Sequence, residues 1–248
     1  MPPTEIGTIL LAGLIIFSGH FVKGVSGFGS ALFSVPLLML ILDVKFVTPV
    51  FLIFDFISGA VLVAANWRSI HRRLLLLLLC GLLVGTAIGT WILLSFSHEI
   101  LKRILGLLVT GWASYTLLRG DRSNTSTRHN PSTPYLAPIS GFLGGALGAM
   151  FSVNGPPIII YLTHVLDEKQ AFRATLYGIF FADACYKMVL FTANRLLNVT
   201  VLRFALLMAP FLLAGTFAGS WLQKRIDQAL FRRIVALILV ITGVVLLI

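Results

Sequence analysis

The sequence predicts an all-α polytopic membrane protein made of two inverted repeats of about five helical segments each. Three observations lead there. Of 248 residues, 58% are hydrophobic and only 11% are charged, where a soluble domain carries about 25% charged residues. The apolar residues fall in long runs, such as 74–84 and 234–248, on the scale of the ~20 residues that carry a helix across a bilayer. Patterns in the first half return, in order, in the second. Period-2 alternation is absent, which argues against a membrane β-barrel.

Along the chain the apolar segments are 6–22, 28–42, 46–66, 73–95 and 100–119, then 136–152, 155–165, 170–192, 203–222 and 231–248. The N-terminus has Glu5 and no Lys or Arg before the first run. That is a poor signal-peptide n-region, so the first helix is expected to remain. Residues 120–134 read GDRSNTSTRHNPSTP, a polar stretch suited to a linker. The expected organisation is therefore repeat 1 over 1–119, a cytoplasmic linker over 120–134 and repeat 2 over 135–248. Cys80 and Cys185 lie in apolar segments and are expected to pack as small hydrophobes. Neither a disulfide framework nor a metal-ligand spacing occurs, and no cofactor is implied.

The repeat rests on several matches. GTAIGTW, ending at Trp91, returns as GTFAGSW, ending at Trp221, a shift of 221 − 91 = 130. The same shift carries Arg73 onto Arg203 and Lys102–Arg103 onto Arg232–Arg233. A shift of 183 − 55 = 128 aligns Asp55 with Asp183 and Ala65–Asn66 with Ala193–Asn194. At the start, 157 − 36 = 121 aligns Pro36 with Pro157, and Gly24 and Gly27 with Gly145 and Gly148. Each half holds an odd number of crossings, whether 6–42 spans twice or re-enters, so the second half should be inverted. Loop charge agrees. With the N-terminus outside, the basic stretches 68–73, 119–128 and 224–233 fall inside, as Lys and Arg prefer. Both termini are then extracytoplasmic. Topology also accounts for much of the formal charge of +10, without nucleic acid as a partner; an anionic substrate is the alternative source.

The opening of each half is the informative part. The first reads GHFVKGVSGFGSALFSVPLL from Gly19 to Leu38, the second SGFLGGALGAMFSVNGPPII from Ser140 to Ile159. Gly and Pro so crowded break a helix, and freed backbone groups at membrane depth must be buried in protein or line a cavity. Broken helices turn N-termini inward, and these favour anions. Close packing through small residues is the competing reading. Paired Gly/Pro interruptions in corresponding places point to a transporter site at the repeat interface.

The segment VKGVSGFGSALFSVPLL and its degenerate second copy resemble the TauE/SafE (sulfite/organosulfonate exporter, TSUP) family over nearly the whole chain. The resemblance implies a secondary transporter of the bacterial cytoplasmic (inner) membrane. It implies export of small sulfur-containing anions such as sulfite, sulfoacetate or related organosulfonates, with the proton gradient as a candidate driving force. The second copy departs from the first where Ser26 faces Leu147 and Gly29 faces Met150, so strict two-fold symmetry of a site is not expected.

Candidate substrate contacts are Lys23, Gly24, Ser26, Gly27, Gly29 and Ser30 in the first opening. In the second they are Gly145, Gly148, Ser152, Asn154 and Gly155. Lys23 either binds an anion oxygen or snorkels to the surface. The serines either contact the anion or bond a helix carbonyl. Asp55 and Asp183 lie inside apolar segments, where a carboxylate is costly and usually functional, and are candidates for proton coupling. For Asp183 the alternative is a salt bridge to Lys187, one turn on. His20 is the one histidine close to a Gly cluster. Asn66 and Asn194 fall at matched helix ends and are expected to cap them. Gly24–Val25–Ser26–Gly27 also spells the GxSG of rhomboid proteases, but no later segment holds a His near its middle to serve as base. A passive anion channel could use the same Gly-lined pore.

Overall fold

In a bilayer a backbone N–H or C=O finds no water, so a long apolar run satisfies itself as a helix. The structure, a computed structural model, describes residues 6–26, 29–119, 135–223, 225 and 227–247. Among these the ordered elements are helices: α1 (Ile6–Ser26), α2 (Ser30–Leu38), α3 (Val44–Asn66), α4 (Arg72–Ser95), α5 (His98–Arg119), α6 (Leu136–Phe151), α7 (Gly155–Val165), α8 (Lys169–Ala193), α9 (Val199–Leu222) and α10 (Gln228–Leu247). A 3-10 turn, Trp67–Ser69, follows α3. Each expected segment has its helix. The expected linker at 120–134 lies outside the described residues.

By length and composition α1, α4, α8, α9 and the run Val44–Ser69 are able to cross a membrane. The second segment is shorter than its apolar run suggested. α2 has nine residues, about 14 Å at 1.5 Å per residue, half of the ~30 Å hydrocarbon core. It does not span; it returns along α1, where Ser34 Oγ donates to the Ile15 carbonyl at 3.1 Å. Leu, Ile, Val and Trp side chains on most long helices are exposed, including Leu76, Trp91, Leu206 and Trp221. Such a surface suits lipid. Cys80, expected to pack inside, is exposed on this surface, and Cys185 is partly buried.

The chain packs as two units. One comprises residues 1–47, 96–125 and 203–248, and the other 48–95 and 126–202. Each unit joins the opening hairpin of one half to the fourth helix of the other. In the second unit α4 lies against α6 at backbone contact. A Cβ on Gly81, Gly85 or Gly89 would strike the carbonyl oxygens of Pro138, Phe142 and Ala146, and one on Gly141 or Gly145 would strike those of Leu78 and Leu82. In the first unit the matched glycines Gly215 and Gly219 lie on the Phe17 and Phe21 carbonyls of α1. A Cβ on Gly24 would lie 2.7 Å from the Thr216 carbonyl. The repeated GT-G sequences thus do the same work in both units, letting an opening helix approach without side chains between. Asn66 and Asn194 also behave alike, donating to Leu62 O at 2.9 Å and Leu190 O at 2.8 Å.

Gly85→Ala should therefore destabilise the protein by about 1–3 kcal/mol, the range for overpacking. Gly111→Ala, where an added Cβ meets nothing within 4 Å, should be neutral or mildly stabilising, since Ala is the better helix former. Thermal unfolding of the two variants in the same detergent checks this.

Candidate functional site

In the second unit the helix break is dictated by local sequence. α6 ends at Phe151, and Ser152 follows in the left-handed region with φ 55°. α7 begins at Gly155 with Pro156 and Pro157 in its first turn. Neither proline has an N–H to return to the carbonyls of Ser152 or Val153, so two successive helix bonds are lost and the helix breaks there. The Ser152 N–H closes α6 on Gly148 O at 2.9 Å. Thr48 of α3 braces the turn, its hydroxyl donating to Met150 O at 3.0 Å and its carbonyl accepting from Ser152 Oγ at 3.4 Å.

Beside this break lies a buried ion pair. Asp183 and Lys187, one turn apart on α8, have side chains 0% and 1% exposed and an Nζ–Oδ2 distance of 2.9 Å. Thr86 Oγ1 of α4 donates to Asp183 Oδ1 at 2.7 Å. Asn154 Nδ2, at the start of α7, donates to Oδ2 at 3.1 Å. Lys187 Nζ also donates to Gly148 O at 3.2 Å. Four helices thus meet on one carboxylate and one ammonium. A Cβ on Gly148 would sit 3.1 Å from Asp183 Oδ2 and 2.9 Å from Asn154 Cβ, so the smallest residue stands where α6 approaches the pair.

The first unit's opening is built differently. Gly29 caps α2 at φ 92°, a conformation that suits glycine. The N–H groups of Ser30, Ala31 and Leu32 follow it and have no carbonyl four residues earlier within the helix. Ser30 is buried, and His20 of α1 is buried against Ile16 O at 2.9 Å. Ser26 Oγ donates to Val22 O at 2.7 Å. Lys23 is half-buried in the last turn of α1.

The profile of the sulfite exporter TauE/SafE family matches residues 10–246. The chain belongs to that family. A relative from Comamonas testosteroni, named a probable inner membrane transporter protein TsaS, is 29% identical over 179 residues, 72% of this chain and 73% of its own length. No solved structure matches. As a TauE/SafE protein the chain is a membrane transporter, not an enzyme, and the GxSG reading of Ser26 is set aside.

Within this TauE/SafE protein the expected site residues sort by environment. Gly148, Ser152, Asn154 and Asp183 come together in the second unit, with Gly155 next to them at the head of α7. Gly24 and Gly145 face the backbones of α9 and α4 and serve close packing. Gly29 and Ser30 form the α2 cap in the first unit, and Gly27 lies outside the described residues. Asp55 is half-buried in α3, its backbone carbonyl accepting from Ser58 Oγ at 3.4 Å. Thr86, Thr48 and the second role of Lys187, as donor to Gly148, were missed by the sequence reading. Thr86 had a signal: it is the hydroxyl inside the repeated GT pair, matched by Thr216. Thr48 had none beyond preceding Pro49.

Replacing Thr86 with the isosteric Val leaves Asp183 Oδ1 without its donor and should cost about 1.5–3 kcal/mol, the range for a bond to a charged group. Lys187→Met, which strands the carboxylate, should cost ~3–5 kcal/mol. Denaturant titration in mixed micelles reads both.

Proposed function

We propose that this TauE/SafE transporter is a secondary exporter of small sulfur-containing anions, such as sulfite, sulfoacetate or related organosulfonates, across the bacterial cytoplasmic (inner) membrane. The family and the name of the Comamonas relative support the class of transporter and the membrane. The observation that carries the site is the buried Asp183–Lys187 pair bonded into the α6–α7 break. A carboxylate and an ammonium held in an apolar span, at the point where backbone is unwound, are what an ion-coupled carrier needs and what a passive scaffold does not.

In this reading the two halves are inverted, the 120–134 linker is cytoplasmic and both termini face outward. Asp183 carries the coupling proton, with its repeat partner Asp55 as the second candidate. Ser152, Asn154, Gly148 and Gly155 contact the anion from the second half. Gly29 and Ser30, with Lys23, Ser26 and Gly27, are candidates from the first. The donors differ between the halves. α2 presents three successive N–H groups, whereas at the same three positions of α7 the two prolines leave only that of Gly155.

Proteoliposomes loaded with labelled sulfoacetate test the reading. The wild-type protein should move it against its gradient when a pH difference is imposed, and both Asp183→Asn and Asp183→Asn/Lys187→Gln, the second of which strands no buried charge, should abolish that pumping. Flux that only ever runs downhill in the wild type, indifferent to pH, would point to a channel. Undiminished pumping by Asp183→Asn would move the proton to Asp55 or elsewhere.

A further inference from the structure

The Asp183 carboxylate is itself an anion in a three-donor cradle. Thr86 Oγ1 at 2.7 Å, Lys187 Nζ at 2.9 Å and Asn154 Nδ2 at 3.1 Å converge on its two oxygens. A hydroxyl, an ammonium and an amide are also what a sulfonate or sulfite oxygen set would be offered. We propose that Asp183 is a built-in stand-in for the substrate: the transported anion takes over Lys187, Thr86 and Asn154 when Asp183 accepts a proton and turns away. This rests on the reading above that the chain carries a sulfur-containing anion.

The argument is one of charge. The resting pair is neutral, one carboxylate with one ammonium. Adding a monoanion without a proton leaves a net negative charge buried away from water, which is strongly unfavourable. Adding the anion together with one proton on Asp183 keeps the site neutral: the proton comes from bulk water, the carboxylate becomes a carboxylic acid, and the ammonium exchanges one oxyanion for another. Among the described residues no other charged side chain bonds to the pair. α6 has no ionisable side chain. α4 carries Arg72, Arg73 and Cys80, all more than a turn before Thr86. α7 carries Tyr161 and His164, well beyond Asn154. The 3-10 turn carries Arg68, and α8 itself adds Cys185 and Tyr186 beside the pair, Tyr177 more than a turn before it, and Lys169 and Arg173 near its start. α3, which packs Phe56 and Gly59 on Phe181, carries Lys45 and Asp55. The break makes the exchange feasible, because Asn154 sits at the start of α7 with unwound backbone before it, and Gly148 O remains to hold Lys187 in place.

Two consequences follow. Proton and anion occupy the site together, so they move in the same direction: an inward proton gradient opposes export, which is then drawn by the anion's own outward gradient. For a monoanion the loaded and empty sites carry the same charge, so flux is insensitive to membrane potential.

Calorimetric titration of the full-length protein in nanodiscs at pH 6, in chloride-free solution and in two buffers of different ionisation enthalpy, counts protons taken up per anion. Methanesulfonate is the probe, because it stays a monoanion, with sulfoacetate as the second. The wild type should take up about one proton per methanesulfonate, and its affinity should fall as pH rises. Asp183→Asn, a permanent mimic of the protonated acid, should bind with no proton uptake. Asp183→Asn/Lys187→Gln should bind roughly 10- to 100-fold more weakly than Asp183→Asn. This double variant strands no charge, so its folding is not at stake. Wild-type binding without proton uptake, failure of Asp183→Asn to bind, or equal affinity of the single and double variants would each overturn the exchange and leave the sulfonate reading standing. Absence of binding of both probes to the wild type would overturn both.

Discussion

Two opposite charges in an apolar helix bundle impose a geometry on everything near them. Taking each ion out of water costs several kcal/mol even after relaxation. Asp183 and Lys187 offset this through their 2.9 Å contact and through bonds to Thr86, Asn154 and the Gly148 carbonyl. Those bonds reach α4, α6 and α7. The rotation of α8, the end of α6 and the start of α7 are thereby tied to one point. For Thr86 to reach it, α4 must lie nearly on the backbone of α6, which the glycine ridge at 81, 85 and 89 permits. Close packing and buried charge are one constraint seen twice.

The two helix breaks solve the same backbone problem by different chemistry. At α2 a left-handed glycine turns the chain and leaves a donor-bearing first turn. At α7 two prolines remove donors, and the compensating positive group is the Lys187 side chain on another helix. The second is polarised by a side-chain charge paired with Asp183. The first is polarised by fixed dipoles.

The helices were legible in the sequence because membrane burial makes apolar runs unambiguous. The repeat reading rests on Gly, Pro, Asp and Asn recurring in order at shifts of 121 to 130, and the matched asparagines make the same bond in both halves. The shortness of α2 was less legible: Met39–Leu42 are as apolar as the helix they follow, and the helix ends there through backbone bonds to Val35, Leu37 and Leu38 that composition does not encode. The Asp183–Lys187 contact could be read from i, i+4 spacing. The rest of its shell could not, since Thr86 and Asn154 are brought in by helix packing across long sequence separations. Glycines at the openings looked alike in the sequence, yet Gly24 and Gly145 face helix backbones while Gly148 faces the ion pair.

The packing units cut across the sequence halves. The opening hairpin of the first half is seated on the fourth helix of the second, and the reverse holds in the other unit. Neither half is then a self-sufficient folding module, because each supplies the groove in which the other's opening helix rests. A drift in the GTAIGTW groove is felt by the second half's opening and cannot be corrected within the first. The two copies are thus free to diverge in the chemistry of their breaks, as they have, while remaining bound to each other by the shape of their grooves.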